Sequence, residues 1–390
     1  MKKIRAVALN DTMGSYHHFR LMCANDSLDC TAIQFSSIDH TNLWQGSSEE
    51  NKQIITLFDD KPITEVSKAK IRHRLFKVLD EVDPEVVILS GWDAIPSLIA
   101  LLWAMENNKP TIIISESQEH DFPRYRIKEY FKNFLLDLID SAFVGGINQR
   151  NYLVKLGFDN DMIFEGCDIV DNKFFMRPSR KEDIENLKLP ENYFLTSCRF
   201  VEKKNLKILI EAFSSLESVH TEWSLVLAGD GPLRGELESL VLEYNLSDKV
   251  HFLGYLDYLT MKNVYAGASC FVLPSTTEQW GLVINEALAS GIPVICSKNV
   301  GSAPNLLSGQ HVGYVFDPLS STDLLEKMEK IISELKHTDF TFVAQEVISK
   351  WDRNKYSDSI NKASKLGIKE YKKRGFVKIL LLKLYIYLLK

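Results

Sequence analysis

The run Glu85-Val86-Val87-Ile88-Leu89 has no polar residue after its first to turn toward water, so a strand built from it needs cover on both faces. Residues 110–115 and 270–273 read the same way, and strand-like runs recur at 4–9, 142–144, 194–198, 223–228 and 250–252. Between them lie helical stretches: one beginning near Tyr16, then 95–105, 128–140, 205–216, 233–244 and 282–290. Strands of this kind alternating with helices imply parallel sheets covered by helical layers, an α/β architecture. The alternation runs through 390 residues, enough for two domains that each bury a core. A charged stretch around 175–190, carrying Pro178 and Pro190, is the expected joint, with a cleft between the domains. Open parallel sheets bind ligands at the carboxyl ends of their strands, so the loops leaving these runs are expected to carry the site.

Composition removes several functions. A net charge of -6 argues against a general nucleic-acid binder. The six cysteines include no Cys-x2-Cys pair, and Cys198, Cys270 and Cys296 fall in or beside apolar runs. Reduced, buried thiols in a cytosolic protein are the expectation. The opening MKKIRAVALNDT reads as a first strand, because its apolar run stops at Asn10 and Asp11, too soon for a secretory signal. No uninterrupted apolar stretch reaches membrane-spanning length. No G-x-G-x-x-G follows the first strand, which disfavours a dinucleotide oxidoreductase.

The densest chemistry lies in PSTTEQWGLVINEALASGIP, residues 274–293. A strand at 270–273 leads in, and a helix follows from Leu282 until Gly291, a residue suited to the left-handed position past a helix end. A helix N-terminus offers free backbone N–H groups to an anion, and Gly281 has no side chain to keep a phosphate away. Glu278 in the loop and Glu286 in the first turn can accept hydrogen bonds from hydroxyl groups on either side of that phosphate. A nucleotide-sugar, with a diphosphate between two hydroxyl-rich rings, fits this pattern. Upstream, Arg199 and Lys204 in the loop of residues 197–205 place a forked guanidinium and a point ammonium beside a helix start, a suitable clamp for a diphosphate.

The spacing of Glu278 and Glu286 around Trp280-Gly281-Leu282 resembles the Glu-x7-Glu signature of family 4 retaining nucleotide-sugar glycosyltransferases. The resemblance implies the GT-B fold, two Rossmann-like domains whose parallel sheets face a central cleft. It implies boundaries at 1–175 for an acceptor-side domain, 176–350 for a donor domain, and 351–390 for a crossover helix and a basic, apolar tail. In that family the first Glu lies by the donor sugar and the second binds the ribose. Arg199 and Lys204 match the family's G-R-x-x-x-x-K-G loop, with Asn205 in place of its last glycine. Gly229 and Gly231 stand in an A-G-x-G-P-x turn, and Gly254 in an F-x-G-x turn, both near the nucleotide in the family. Gly14, after the first strand, stands where members carry a glycine loop that reaches the donor phosphate. His120-Asp121 is the nearest match to a His-Asp pair on the acceptor side, although Glu116, Glu119 or His120 could hold that position. Gly166-Cys167-Asp168 resembles the family's crossover signature.

The resemblance therefore implies a retaining hexosyltransferase that moves sugar from a nucleoside diphosphate to a glycan or lipid-linked acceptor, in polysaccharide or lipopolysaccharide synthesis. Glu278, Arg199, Lys204 and His120 are its expected catalytic set, with Gly14, Gly229, Gly231, Gly254, Trp280, Gly281, Leu282 and Glu286 binding donor. No metal and no cofactor are expected, since the protein's own cations face the diphosphate and the nucleotide-sugar is a substrate. The alternatives are a non-catalytic sugar-nucleotide or glycan-binding partner, and a GT-B epimerase or phosphorylase. Residues 369–374 carry four positive charges against one negative, and 376–389 are apolar except Lys378 and Lys383. With Lys372, Lys383 and Lys390 sharing one side of a helical wheel, this tail is expected either to pack on the first domain or to lie in the interface of the inner membrane. The expected location is cytoplasmic, peripheral on the membrane's cytosolic face.

Overall fold

The computed structural model describes residues 2–37, 53–121, 124–177 and 179–389, so Pro178 and Lys390 lie outside the described residues. The chain divides into two compact units, Met1–Ile169 with Arg353–Lys390, and Val170–Asp352.

In the first unit the strands are β1 (Ile4–Asn10), β2 (Leu28–Ser36), β3 (Ile54–Phe58), β4 (Val86–Ser90), β5 (Thr111–Ser115), β6 (Ser141–Val144) and β7 (Ile163–Glu165). They alternate with α1 (Ser15–Ser27), α2 (Lys68–Val82), α3 (Ile95–Glu106), α4 (Arg126–Leu136) and α5 (Ile147–Lys155). All strand pairs are parallel, in the order β3-β2-β1-β4-β5-β6-β7. The order reverses direction at β1 and β4, so the loops after those strands diverge at the carboxyl edge. Val87 and Leu89 face the core with Leu75, Leu79 and Leu101, while Val86 and Ile88 face the opposite layer with Cys23 and Ile360. This two-sided burial is why β4 carries no polar residue before Ser90.

The second unit opens with short helices α6 (Asn172–Met176) and α7 (Lys181–Glu185), then runs β8 (Asn192–Ser197), α8 (Leu206–Glu217), β9 (Trp223–Ala228), α9 (Arg234–Glu243) and β10 (Val250–Gly254). It continues through α10 (Tyr258–Gly267), β11 (Cys270–Leu273), α11 (Leu282–Ala289), β12 (Val294–Ser297), α12 (Ala303–Leu306), β13 (Gly313–Phe316), α13 (Ser321–Leu335) and α14 (Thr341–Ser349). Its sheet, again parallel, is ordered β10-β9-β8-β11-β12-β13. The reversal here falls at β8 and β11, whose exit loops carry Arg199 and Glu278.

The chain then returns to the first unit as α15 (Arg353–Lys369) and α16 (Phe376–Leu388). Helix α16 does not stand free. Leu382 and Ile386 are buried in the first unit's core beside α3, and Lys378 pairs with Asp137. A helix apolar on nearly all sides gains by burying any one of them, and this one buries a single face.

The cysteines are unpaired, and five of the six are buried. Burial pushes the Cys30 and Cys198 thiols up to about 12, so they stay protonated.

Candidate active site

Most of the residues expected to bind donor converge in the second unit because three of its strand-end loops are bonded to one another. The amide of Cys198 donates to the carbonyl of Ala228 at 3.1 Å, and that of Phe200 to Asp230 at 2.9 Å. Gly229 then donates to the carbonyl of Gly254 at 2.7 Å. The glycines are what allow this closeness. A Cβ on Gly229, at φ +120°, would stand 2.0 Å from the Cys198 carbonyl oxygen, and one on Gly231 would stand 2.5 Å from that of Phe200. Gly229 and Gly231 are thus held against the loop that carries Arg199, and Gly254 against Gly229.

That loop continues to the Glu278 loop. The amide of Thr276 donates to the carbonyl of Lys203 at 2.8 Å. Asn205 takes the left-handed conformation at φ +54° and donates its side-chain amide to the carbonyls of Pro274 and Pro318, at 3.2 and 2.8 Å. Asparagine tolerates that conformation better than most residues, so it replaces the family's glycine and ties three loops together.

Within this frame Lys204 forms an ion pair with Glu278, and the Ser275 hydroxyl donates to the same carboxylate oxygen at 3.4 Å. Arg199 is exposed and has no ion pair among the described residues. Gly281, at φ +92°, caps α11; a Cβ there would meet Leu273, Val300 and Glu278 at 3.1, 3.3 and 3.4 Å. Leu282 begins the helix, so the first-turn amides point from Gly281-Leu282 toward the loop. The closing turn holds this loop in place: Gly301 donates to the carbonyl of Glu278 at 2.9 Å and Ser302 to that of Trp280 at 3.1 Å.

Two of the side chains expected to contact ligand have partners within the fold. The Trp280 side chain is 2% exposed, donates its indole N–H to Asn285 at 3.0 Å, and packs on Trp351. What the Trp280 position can offer a ligand is backbone. Glu286 is 3% exposed and accepts from the Tyr265 hydroxyl at 2.9 Å. Tyr265 had no signal in the sequence, because a lone tyrosine inside a helix reads as core.

The first unit carries a separate charged cluster at its carboxyl edge. Gly14 precedes α1 at φ -82°, with the nearest atom to an added Cβ 3.9 Å away, so its backbone does not require glycine. His120 is exposed in the turn after β5, beside a Glu119 that pairs with Lys155. Asp121 is buried in the same loop and accepts from the amide of Gln118 at 2.8 Å, while Arg20 of α1 reaches Glu116 at 3.4 Å and Asp168 at 2.7 Å. Burial, then Glu116, push Asp168 up to about 8 against the pull of Arg20, while burial and Arg20 lower His17 to about 4. Arg20 is a further residue of this charged cluster that sequence pattern did not reveal, since its partners lie 96 and 148 positions away.

Two open parallel sheets, the second with a basic loop and a glycine-capped helix at its switch point, are the GT-B architecture of the glycosyltransferases. Residues 179–340 match the family model described as Glycosyl transferases group 1. The chain is 25% identical over 262 residues to the N-acetylgalactosamine-N,N'-diacetylbacillosaminyl-diphospho-undecaprenol 4-alpha-N-acetylgalactosaminyltransferase of Campylobacter jejuni, covering 65% of this chain and 68% of that one. Its fold is similar to that of Anabaena HepE in complex with UDP and glucose, with a TM-score of 0.71 at 17% identity over 92% of this chain and 98% of that one. The lipopolysaccharide outer core galactosyltransferase WaaB gives 0.66 at 16% identity, over 92% and 98%. These relatives support a glycosyl-transfer role, and none of them favours an epimerase, a phosphorylase or a non-catalytic binding partner.

Proposed function

We propose that the protein is a retaining glycosyltransferase that takes a hexose-type sugar from a nucleoside diphosphate and passes it to a glycan or lipid-linked acceptor. It works without a metal ion, in the cytoplasm at the inner-membrane face. The observation that carries this reading is the Lys204–Glu278 pair, set beside Arg199 and the Gly281 helix cap. Arg199, Lys204 and the amides at Gly281-Leu282 supply positive potential where the diphosphate leaving group gains charge. Glu278 meets the donor sugar, Glu286 the ribose, and the turns at Gly229, Gly231 and Gly254 the rest of the nucleotide. Gly14 approaches the donor phosphate and His120 stands on the acceptor side, in the first unit. A relative solved with UDP and glucose supports the donor class, and one named for a diphospho-undecaprenol substrate supports the acceptor class.

The test is turnover of a nucleotide-sugar panel, with and without lipid-linked acceptors, in excess EDTA. Transfer in EDTA that keeps the donor's anomeric configuration is the expected result. Inverted product overturns retention, and loss of activity restored by Mg2+ or Mn2+ overturns metal independence.

A further inference from the structure

Helix α16 has two apolar faces, and the fold uses one. Leu382 and Ile386 are buried against the first unit's core, with Ile379, Tyr385 and Leu389 partly buried beside them. On the other side Phe376, Val377, Leu380, Leu381, Leu384, Tyr387 and Leu388 are exposed, Phe376 by 77% and Tyr387 by 80%. At about 100° per residue these seven fill one arc of roughly 140°. Lys378 and Lys383 sit at the two edges of that arc, tied to Asp137 and Glu106. No helix among the described residues is long and apolar enough to cross a membrane, and thirteen residues span only about 20 Å.

The exposed face continues onto α4. Phe131 stacks on Tyr385 with ring centroids 5.4 Å apart, and Ile127 and Tyr130 are exposed by 74% and 72%. Patches of this extent on a single chain mark an interaction surface. Its charge indicates which kind. Arg126 and Lys128 on α4, and Lys372 and Lys373 ahead of α16, are exposed and have no ion pair among the described residues. Of the nearby acids, Glu129 pairs with Lys132, Asp137 with Lys378, Glu106 with Lys383 and Glu370 with Lys369, which leaves Asp93, near Tyr385, as an exposed acid with no ion pair among the described residues. A second copy docking on itself through this face would bring the unpaired cations toward their own kind.

We propose that α4 and α16 together form a docking surface for an anionic phospholipid bilayer, with the apolar arc at acyl-chain depth and the lysines and arginines at the headgroups. This deepens the membrane part of the proposed function and rests on it only for its purpose. Transfer to a water-soluble acceptor analogue, measured without vesicles, reads the chemistry alone.

The experiment is flotation of the full chain with vesicles of phosphatidylcholine alone or with added phosphatidylglycerol, at low and high salt. Partition onto the anionic vesicles that weakens with salt is expected. L380S/L384S, I127S/Y130S and K372E/K373E should each reduce it by at least about tenfold, with unchanged melting temperature and unchanged transfer to the soluble analogue. Wild-type protein that stays soluble with anionic vesicles at low salt overturns the proposal. So do serine variants that float like wild type, and so does a lipid-free dimer in sedimentation that L380S/L384S converts to monomer. If the α4 pair alone has no effect, the joint surface is wrong.

Discussion

Arg199 and Lys204 carry the same charge, but their surroundings make their substitutions differ. Arg199 is exposed and unpaired among the described residues, so Arg199→Ala removes a cation without disturbing a partner. Lys204→Ala also takes away the cation paired with Glu278, a largely buried carboxylate. Both should lower turnover by at least about two orders of magnitude, the scale of a lost electrostatic contact to a leaving group. Only Lys204→Ala should also lower the melting temperature. Wild-type turnover in both would remove them from the site. The two glutamates should separate in calorimetry with free UDP and GDP. Glu278→Ala releases Lys204 from a competing carboxylate, so nucleotide affinity should hold or rise while sugar transfer falls. Glu286→Ala removes the expected ribose acceptor and leaves the Tyr265 hydroxyl without that bond, so nucleotide affinity should drop. The reverse pattern would reject the two roles.

The loops at the ends of β8, β9 and β10 show how an element imposes residue identity on its neighbour. Gly229 sits against the Cys198 carbonyl, so Gly229→Ala must push the Arg199 loop aside. Gly254 also has a positive φ, yet an added Cβ would find its nearest atom at 3.8 Å. Gly254→Ala should therefore cost about 1–2 kcal/mol of backbone strain, and Gly229→Ala several kcal/mol plus a loss of nucleotide affinity. Urea unfolding of both variants reads the order; equal losses would mean the glycines serve only conformation. This close packing was half legible beforehand. Gly-Asp-Gly-Pro marks a turn in any sequence, but what the turn touches is fixed by the parallel register of β8 and β9. Strands β4 and β11 were readable because burial on both faces leaves them wholly apolar. Strand β2 was not, since Asp29, Thr31 and Gln34 interrupt it and α1 runs into it without a loop residue between Ser27 and Leu28. The loop carrying Arg199 and Lys204 stood out in the sequence because its cations are five positions apart. Arg20, Glu116 and Asp168 meet only once α1 and the strands β5 and β7 are assembled.

At the scale of the molecule, the first unit is discontinuous in sequence and is completed by the chain's last two helices. Helix α15 supplies Tyr356, Ile360 and Ala363 to a core that also holds Phe143, Cys167 and Ile169. The Tyr356 ring meets Phe143 edge-on at 5.0 Å, Ser141 donates to the Ala363 carbonyl at 3.0 Å, and Ser27 to that of Ser357 at 2.9 Å. Helix α16 adds two buried side chains, Leu382 and Ile386, and leaves its other face exposed. The two helices should therefore matter unequally. A chain ending at Lys369 loses the burial of Leu382 and Ile386, a cost of about 3 kcal/mol, and should remain folded with a lower melting temperature. A chain ending at Asp352 also loses α15, which shares one layer of the first sheet with α1. That loss is comparable with the roughly 5–15 kcal/mol that holds a typical domain together, so the first unit should not fold stably. The second unit contains every residue of its own core and should survive. Amide exchange separates these outcomes: in the chain ending at Asp352, β1, β4, β5 and β6 should lose protection while β8, β9 and β11 keep it. Protection retained in both sheets would show that the first unit folds without α15.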